Sequence, residues 1–285
     1  AKQESLLHLQ EITGKSIPFY HMDIRNADGL RQIFQTHHIS AVLHFAGLKA
    51  VGESVQQPLR YYQNNIGGMM TLLEELQKTD CRTLIFSSSA TVYGTQHTAP
   101  YAETVTPLSA SNPYGETKII SEQLLQDLCQ ADSDWHITAL RYFNPIGAHE
   151  SGLLGEEPHG IPSNIAPYLA LVASGQLPYF RVYGNDYDTP DGTGIRDYVH
   201  VMDLAEGHVS ALQYSMQHAG FSVFNLGTGS GCSVLELANM YEAVSGKPIP
   251  LKIFPRRAGD VATSYADVSK AKTVLGWTAK RNLQQ

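Results

Sequence analysis

The sequence has few of the features that mark metal centres, disulfide frameworks, membrane spans or nucleic-acid surfaces. Its three cysteines, Cys81, Cys129 and Cys232, form an odd set without the spacing of a zinc site, which favours reduced thiols in the cytoplasm. The 12 histidines show no metal-ligand pattern either. No apolar run approaches the roughly 18 residues of a membrane helix. The net charge of -7 argues against nucleic acid. We therefore expect no metal, no membrane and no nucleic-acid partner.

Strand and helix patterns alternate along the chain, which predicts an α/β fold with a doubly wound parallel sheet of the Rossmann type. The predicted strands are Ile17–Asp23, Ala41–Phe45, Arg82–Ser87, His136–Tyr142, Tyr179–Tyr183, Ser222–Leu226 and Pro250–Phe254. The predicted helices are Glu4–Ile12, Gly29–His37, Leu59–Gln77, Tyr114–Leu128, Asn164–Ala173, Val201–Tyr214 and Val234–Val244. Residues 1–145 are assigned to a nucleotide-binding domain. Residues 146–285 are assigned mainly to a smaller α/β substrate lobe, with 195–230 packing back on the sheet.

One expected element is missing from this pattern. Dinucleotide-binding folds open with a strand and a Gly-x-Gly-x-x-Gly turn, which leads into a helix whose amino end holds the pyrophosphate. The sequence begins at Ala1 without such a turn and soon reaches the predicted strand that ends at Asp23. We therefore expect a chain truncated at its amino end, lacking the first strand, loop and helix of the fold. Such a chain is expected to hold a dinucleotide poorly when alone.

The strongest chemical signal is Tyr114-Gly-Glu-Thr-Lys118, downstream of Ser87-Ser88-Ser89. Residues four apart share a helix face, so the Lys118 ammonium is expected beneath the Tyr114 phenol, where it would lower the phenol pKa from its usual value of about 10. Residues 82–94 are predicted to form a buried strand that ends in hydroxyl residues, at the edge where parallel sheets bind ligands. Ser89 would then lie beside Tyr114. The Tyr-x-x-x-Lys spacing alone is weak evidence for catalysis, because an ordinary amphipathic helix can also carry a tyrosine and a lysine four residues apart.

The order of Ser-Ser-Ser, Tyr-x-x-x-Lys and Arg141-Tyr-Phe-Asn144 resembles the extended short-chain dehydrogenase/reductases. Within that family, the chain most resembles the UDP-glucose 4-epimerases, and the resemblance runs through essentially the whole chain. The segments that carry it are residues 45–54, 87–94, 141–145, 194–205 and 255–260. This resemblance implies an NAD-dependent isomerase of nucleotide-sugar and galactose metabolism that interconverts UDP-galactose and UDP-glucose. It also implies a cytoplasmic homodimer, paired through the helices predicted at Leu59–Gln77 and Tyr114–Leu128.

The resemblance implies a set of NAD contacts spread over several strand ends. Asp23 and Ile24 would meet the adenine, and Lys49 would reach toward the nicotinamide ribose. The implied cofactor residues are Asp23, Ile24, Phe45, Ala46, Gly47, Lys49, Asn64, Ser87, Tyr114, Lys118 and Phe143. Each of them alone also fits a structural role, as a turn, core or solvated residue.

The implied UDP-sugar site combines cations for the diphosphate with a slot for the nucleobase. Arg196 and Arg257 stand at the family positions for paired guanidinium groups, which match phosphate oxygens, whereas Arg256 is expected to be solvated. Asp260 is expected to bind ribose hydroxyls or to orient Arg257. The implied substrate contacts are Ser89, Tyr114, Asn144, Asn164, Tyr183, Arg196, Tyr198, Arg257, Asp260 and Ser264.

In the implied reaction Ser89, Tyr114 and Lys118 are the catalytic residues. The Tyr114 phenolate removes the proton of the sugar 4-hydroxyl, Ser89 bonds the same oxygen, and Lys118 stabilises the phenolate. Hydride passes to NAD, the 4-keto sugar turns about its diphosphate, and hydride returns to the opposite face. The nucleotide must therefore be held firmly and the sugar loosely.

Two other functions remain open, as does the range of sugars. A nucleotide-sugar 4,6-dehydratase, or another NAD-dependent nucleotide-sugar modifier, shares the fold, but dehydratases typically carry Asp-Glu where this chain has Ala90-Thr91. The second alternative is an inactive, truncated binding fragment. Ser264 stands where some relatives carry a bulky tyrosine, which leaves room for an N-acetyl group and predicts activity on UDP-N-acetylhexosamines unless Tyr265 fills the gap.

Overall fold

The structure, a computed structural model, describes residues 3–156, 160, 162, 164–257 and 259–284. Its strands are β1 (Val42–His44), β2 (Thr83–Ser87), β3 (His136–Tyr142), β4 (Asn144–Ile146), β5 (Phe180–Tyr183), β6 (Ile195–Arg196), β7 (Tyr198–His200), β8 (Gly220–Leu226), β9 (Cys232–Ser233), β10 (Leu251–Phe254) and β11 (Thr263–Ser264). Its α-helices are α1 (Gln3–Thr13), α2 (Ala27–Thr36), α3 (Val51–Gln56), α4 (Pro58–Tyr61), α5 (Gly67–Leu76), α6 (Pro113–Ala131), α7 (Ile165–Ala173), α8 (Val201–Ser215) and α9 (Val234–Ser245). A 3₁₀ turn covers Ala90–Tyr93, and π-helical turns cover Tyr62–Ile66 and Ala271–Leu275.

The central sheet is parallel, with the strand order β1-β2-β3-β8. Successive side chains of a strand point to opposite faces, so Leu84 and Phe86 of β2 pack with α2, α5 and α6, whereas Ile85 packs on the other face with α8. Helices therefore cover both faces, which is why the strands are apolar along almost their whole length. The predicted doubly wound α/β fold is confirmed.

Short ladders beside this sheet build a second packed region. β5 pairs with β10, β6 pairs with both β11 and β9, and β4 pairs with β7. Apolar residues of α7, α9 and β5 form its core, which includes Leu169, Phe180 and Leu237. These ladders bring segments that are distant in the sequence, such as 195–196 and 263–264, into register.

Two predicted elements differ from the structure. Residues 17–23 form no strand, because a strand needs a hydrogen-bonded neighbour and β1 pairs only with β2 in the described sheet. Ile17 and Phe19 are consequently 51% and 46% exposed. The helix predicted over 59–77 is interrupted by the π-helical turn at Tyr62–Ile66, next to the poor helix former Gly67.

The cysteines and the helix lengths complete this description. Cys81 and Cys232 are buried free thiols, and Cys129 is a partly buried one. Within the described ranges, none of the helices combines the length and apolar character that crossing a membrane requires.

Candidate active site

Helix α6 places Tyr114 and Lys118 against the carboxyl end of β2. The helix begins where the Asn112 side chain accepts a hydrogen bond of 2.9 Å from Gly115 N, with a proline at the first helical position. Gly115 permits close packing, since a Cβ there would lie 2.5 Å from Ala110 Cβ. Lys118 is 7% exposed, and its ammonium donates a hydrogen bond of 2.6 Å to Ser87 O. The structure thus brings the predicted tyrosine, lysine and serine strand end together.

The lowered pKa predicted for Tyr114 is not found in this structure. The Lys118 ammonium lies 5.7 Å from the centroid of the Tyr114 ring and is bonded to the Ser87 carbonyl. Although the Tyr114 side chain is partly exposed, burial of its hydroxyl raises the pKa of Tyr114 to about 12, while the Ser89 hydroxyl acts in the opposite direction. Desolvation therefore dominates the pKa of Tyr114, and a positive charge bound close to the phenol would favour the phenolate.

Burial also disfavours the charged form of Lys118. Burial lowers the pKa of Lys118 from 10.5 to about 8, and the carboxylate of Glu122 opposes this shift. On the sheet side, burial and the charge of Lys118 lower the pKa of His44 to about 4, so His44 is neutral at physiological pH. Beneath the partly exposed tyrosine the site therefore holds the buried Lys118 ammonium, while His44 is uncharged.

The three serines after β2 point to different partners. The Ser87 hydroxyl bonds Tyr142 OH, and the Ser88 hydroxyl donates to Glu122 Oε1 at 2.5 Å. Ser89 caps the 3₁₀ turn, where its Oγ accepts from Thr91 N at 3.3 Å. Ser89 is 9% exposed and is the serine adjacent to Tyr114, as predicted.

The segment after β1 lies beside this group. Phe45, Ala46 and Gly47 are exposed at the carboxyl end of β1, and the Phe45 ring lies 4.8 Å from the ring of His208. Asn65, in the π-helical turn, holds this segment by bonding the backbone N and O of Leu48.

Asn65 was missed in the sequence, because its role depends on that turn. Its amide also donates to Thr117 Oγ1 at 3.1 Å, which ties the segment to α6. The predicted cofactor residue Asn64 donates to Asn65 Oδ1 at 3.0 Å.

Four other predicted cofactor and substrate residues are engaged in contacts of their own. Arg25 donates to the Asp23 carboxylate, a side-chain hydrogen bond that lowers the pKa of Asp23 to about 2. Ile24 packs into the core below α5. Phe143 is buried in an aromatic cluster with Tyr93 and Tyr101, and Tyr198 is buried in the second core. Phe143 and Tyr198 are therefore packing residues in this structure.

The predicted diphosphate residues form one cluster around a carboxylate. Asp260 accepts a hydrogen bond of 2.9 Å from Arg257 Nε, and its other oxygen lies 3.8 Å from Arg196 Nη2. The Arg257 guanidinium lies 4.9 Å from the centroid of Tyr183. Ser264 is the β11 partner of Arg196 in the parallel ladder. Three segments, at 196, 257–260 and 264, thus present two guanidinium groups, a carboxylate and a small hydroxyl residue together.

A separate group of residues surrounds Glu156. Its carboxylate accepts from Asn164 Nδ2 at 2.6 Å and lies 3.6 Å from Lys49 Nζ. Lys49, Glu156 and Asn164 line a cavity of about 450 Å³ that also reaches Pro145. Asn144 is exposed at the start of β4, next to Pro145 in the sequence, and its backbone N donates to Asp197 O. The Glu156 carboxylate of the chain itself therefore engages two of the predicted ligand-binding side chains, those of Lys49 and Asn164.

Tyr187 is a buried residue that the sequence pattern did not indicate. It is 6% exposed, and its hydroxyl has no hydrogen-bond partner within the described part of the chain. Arg256, predicted to be solvated, is half exposed and lies 4.1 Å above the Tyr187 ring while pairing with Asp186. Arg256 lies far from Asp186 and Tyr187 in the sequence, so the sequence pattern alone does not indicate these contacts.

Comparison with known proteins agrees with this geometry. The family model described as GDP-mannose 4,6 dehydratase matches residues 1–285. A UDP-glucose 4-epimerase of Neisseria gonorrhoeae is 55% identical over 280 residues, which cover 98% of this chain and 83% of that protein.

Two solved structures are similar over the full length of this chain. The crystal structure of UDP-glucose-4-epimerase from Stenotrophomonas maltophila with bound NAD and formylated UDP-arabinopyranose has a TM-score of 0.96 and 49% identity, covering 100% of this chain and 84% of that one. UDP-glucose 4-epimerase from Bifidobacterium longum in complex with NAD+ and UDP has a TM-score of 0.95 and 51% identity, with the same coverage of 100% and 84%.

The family model bears the name of a dehydratase, whereas these relatives are named as epimerases. The chain itself carries Ala90-Thr91 where a dehydratase would typically carry an acid and a base. Identity above 50% over nearly the whole chain decides between the two, and the chain belongs to the UDP-glucose 4-epimerase family.

Proposed function

We propose that the chain is an NAD-dependent isomerase that interconverts UDP-galactose and UDP-glucose through a 4-keto sugar. The observation that carries this proposal is the seating of Tyr114 and Lys118 on one face of α6 against the end of β2, with Ser89 next to the phenol. This arrangement supplies a proton acceptor, a cation and a hydroxyl donor around one point. Such a set suits oxidation and reduction of a secondary alcohol.

Each of the three side chains has a separate part in that chemistry. Tyr114 takes the proton of the sugar 4-hydroxyl and later returns it. Ser89 donates a hydrogen bond to the same oxygen, and Lys118 supplies positive charge beneath the phenol. None of these groups needs to move far, because α6 and the end of β2 are fixed by buried contacts.

NAD fits the chemistry of this site. When bound, it accepts a hydride from the sugar and gives it back. The exposed segment 45–47 and the end of β2 offer an open edge for its ring, and the positive charge of the oxidised ring suits a tyrosine whose pKa is raised by burial. We assign its binding to Asp23, Ile24, Phe45, Ala46, Gly47, Lys49, Asn64, Ser87, Tyr114 and Lys118, and not to Phe143, which packs in the aromatic cluster.

The nucleotide sugar is anchored through its diphosphate. Arg196 and Arg257, held together by Asp260, present two guanidinium groups that can each bond phosphate oxygens in a fork. The sugar itself meets small or neutral groups such as Ser264 and Asn144. A firm grip on the diphosphate and a loose one on the sugar allow the keto sugar to turn between the two half-reactions.

The remaining substrate contacts and the domain boundaries complete the proposal. We assign Asn164 and Tyr183 to the nucleotide portion of the substrate, supported by their positions just before α7 and at the end of β5. Residues 1–145 would form the cofactor domain and 146–285 mainly the substrate lobe, supported by the separate cores of the two regions.

The free thiols support a cytoplasmic location.

A homodimer is proposed from the apolar surface of neighbouring helices. Val55, Leu59, Met70 and Ile120 are exposed on α3, α4, α5 and α6, of which α3 and α4 pack against α6. Exposed apolar groups on adjacent helices are typical of subunit contacts. Replacing Leu59, which is 74% exposed, by aspartate should shift the protein from dimer to monomer in analytical ultracentrifugation. A monomeric unmodified chain would contradict the dimer.

The activity is tested by incubating the purified chain with NAD and UDP-galactose and separating the products by ion-exchange chromatography. Formation of UDP-glucose, and the reverse reaction, are expected. A 4-keto-6-deoxy product would show a dehydratase instead. Binding of UDP without turnover would show a binding protein.

A further inference from the structure

A second charged residue lies on the same face of α6 as the catalytic pair. Glu122 follows Lys118 by four residues, so the three side chains at 114, 118 and 122 form one row along the helix. Glu122 is 4% exposed, and a carboxylate is rarely buried to this extent unless it is paired. Neither the Tyr-x-x-x-Lys motif nor the proposed reaction assigns it a role.

Glu122 is held by four hydrogen bonds, from β3 and from the residue that follows β2. Arg141 of β3 donates from Nη2 at 2.6 Å and from Nε at 3.0 and 3.2 Å, so the ion pair is bidentate. Ser88 donates to Glu122 Oε1 at 2.5 Å. Both ends of the ion pair are buried, with 5% of each side chain exposed. The carboxylate therefore joins α6 to β3 and to the serine between the strand end and Ser89.

The charges around Lys118 come from three elements. His44 on β1 faces it and is neutral at physiological pH. Tyr114 and Glu122 flank it on α6 itself. Arg141 on β3 lies on the far side of Glu122. Among these described neighbours, the Glu122 carboxylate is the group whose charge opposes the loss of the Lys118 proton.

We propose that Glu122 is a positioning residue that keeps the Lys118 side chain charged and seated on the Ser87 carbonyl, and that Arg141 fixes the carboxylate in the place from which it does so. This inference rests on the proposed role of Lys118 as the cation of the site. A desolvated lysine loses its proton easily, and the opposite charge one helical turn away counteracts that loss. Arg141 holds the buried Glu122 carboxylate in a bidentate ion pair, which compensates for its removal from water.

A purely structural clamp is the competing explanation for the same contacts. A buried Arg–Glu pair joining a helix to a strand costs stability when one partner is removed, whatever lies nearby. The two explanations differ in what removal of charge does to Lys118. A clamp affects the melting temperature alone, whereas a charge partner also sets the pH at which Lys118 loses its proton.

Two variants separate these explanations. Glu122→Gln keeps the size of the side chain and an oxygen that can accept from Ser88 and Arg141, but removes the charge. Arg141→Lys breaks the bidentate geometry and keeps both charges. Both are expected to lower the melting temperature. Only Glu122→Gln is expected to shift the titration of Lys118 to lower pH, by about one unit, and to move the alkaline fall of kcat with it.

The titration is measured directly by NMR on chain labelled with ¹³C at the lysine ε position, with Lys118→Met identifying the signal. The unmodified chain and Arg141→Lys should titrate together, with Glu122→Gln below them. Equal midpoints in the unmodified chain and Glu122→Gln would overturn the inference, as would an equal shift in both variants.

This measurement needs no turnover. A chain without epimerase activity but with a shifted Lys118 titration would contradict the proposed function and leave the Glu122 effect standing. If Arg141→Lys does not fold, Ser88→Ala serves as the uncharged structural control, because it removes a hydrogen bond to Glu122 and no charge.

Discussion

The ammonium of Lys118 donates a 2.6 Å hydrogen bond to the carbonyl oxygen of Ser87, the last residue of β2. A backbone carbonyl at a strand end is a fixed acceptor, so the position of the lysine does not depend on Tyr114. The phenol and the ammonium can therefore be removed separately, each without displacing the other. The contribution of each one to catalysis can be measured on an otherwise intact site.

Removing the Tyr114 hydroxyl is expected to abolish most of the activity. Tyr114→Phe keeps the ring and its packing, but no proton acceptor is left for the sugar 4-hydroxyl. General acid–base catalysis typically contributes about a hundredfold to ten-thousandfold, and kcat should fall by that amount. The rate of UDP-galactose conversion and the melting temperature are measured together. Tyr20→Phe, at an exposed phenol, is the matched control and should keep full activity; an active Tyr114→Phe variant would rule out the proposed base.

Lys118 is expected to make stability and activity respond to pH in opposite directions. Burial lowers its pKa from 10.5 to about 8, so between these values the unfolded chain binds more protons than the folded one. Stability therefore rises with pH across this window, because deprotonation relieves the desolvation of the buried ammonium. Activity falls over the same window, since the uncharged amine no longer supports the phenolate.

Comparison with Lys118→Met isolates this effect from all other titrations. The free energy of unfolding of the unmodified chain, relative to that of the variant, should increase by about 3 kcal/mol from pH 8 to 10.5. Urea denaturation at several pH values measures it. Lys15→Met, at an exposed position, should follow the unmodified chain. Parallel curves for the unmodified chain and Lys118→Met would show that the ammonium is not desolvated.

The sequence was sufficient where local rules determine structure. The apolar run and its small hydroxyl residues predicted β2 almost to the residue, and the four-residue spacing placed Tyr114 over Lys118. It was insufficient where the outcome depends on what packs from elsewhere. The raised pKa of Tyr114 reflects burial by several elements, and the Glu122–Arg141 pair forms only because β3 lies next to β2.

The strand predicted at 17–23 does not form, and this difference also arises because the outcome depends on other parts of the fold. Its alternation of apolar residues is suitable for a strand, but pairing requires a neighbour, and in the described structure β1 offers its hydrogen bonds only to β2. The neighbouring side chains Phe19 and Tyr20 remain exposed instead. A sequence pattern indicates the capacity to form a strand, whereas its formation depends on the rest of the sheet.

Two adjacent arginines should behave differently toward the substrate. Arg257 pairs with Asp260 in the cluster that we propose binds the diphosphate, whereas Arg256 stacks on Tyr187 and pairs with Asp186. Arg257→Met is expected to raise KM for UDP-galactose by roughly tenfold to a hundredfold, the effect of a lost charged hydrogen bond, with a smaller change in kcat. Arg256→Met is the matched control and should change KM little. The reverse order of effects would assign the phosphate contact to Arg256.

The range of sugars should depend on Ser264. Its small side chain stands beside Arg196 in the β6–β11 ladder. The next residue, Tyr265, is held in place, because its carbonyl accepts from Tyr101 N at 2.9 Å and its ring lies close to Gly231. Consecutive side chains along an extended segment point to opposite sides, so Tyr265 cannot fill the space at 264 without breaking these contacts.

We therefore expect the chain to convert UDP-N-acetylgalactosamine as well as UDP-galactose. Ser264→Tyr should lower kcat/KM for the N-acetylated sugar by roughly tenfold to a hundredfold through a steric clash, and leave UDP-galactose conversion much less affected. Ser264→Ala is the control, since it keeps the space and should keep both activities. The two substrates are compared by separating the products of parallel reactions. An unmodified chain that converts UDP-galactose but yields no product from UDP-N-acetylgalactosamine would show that something other than residue 264 closes the pocket.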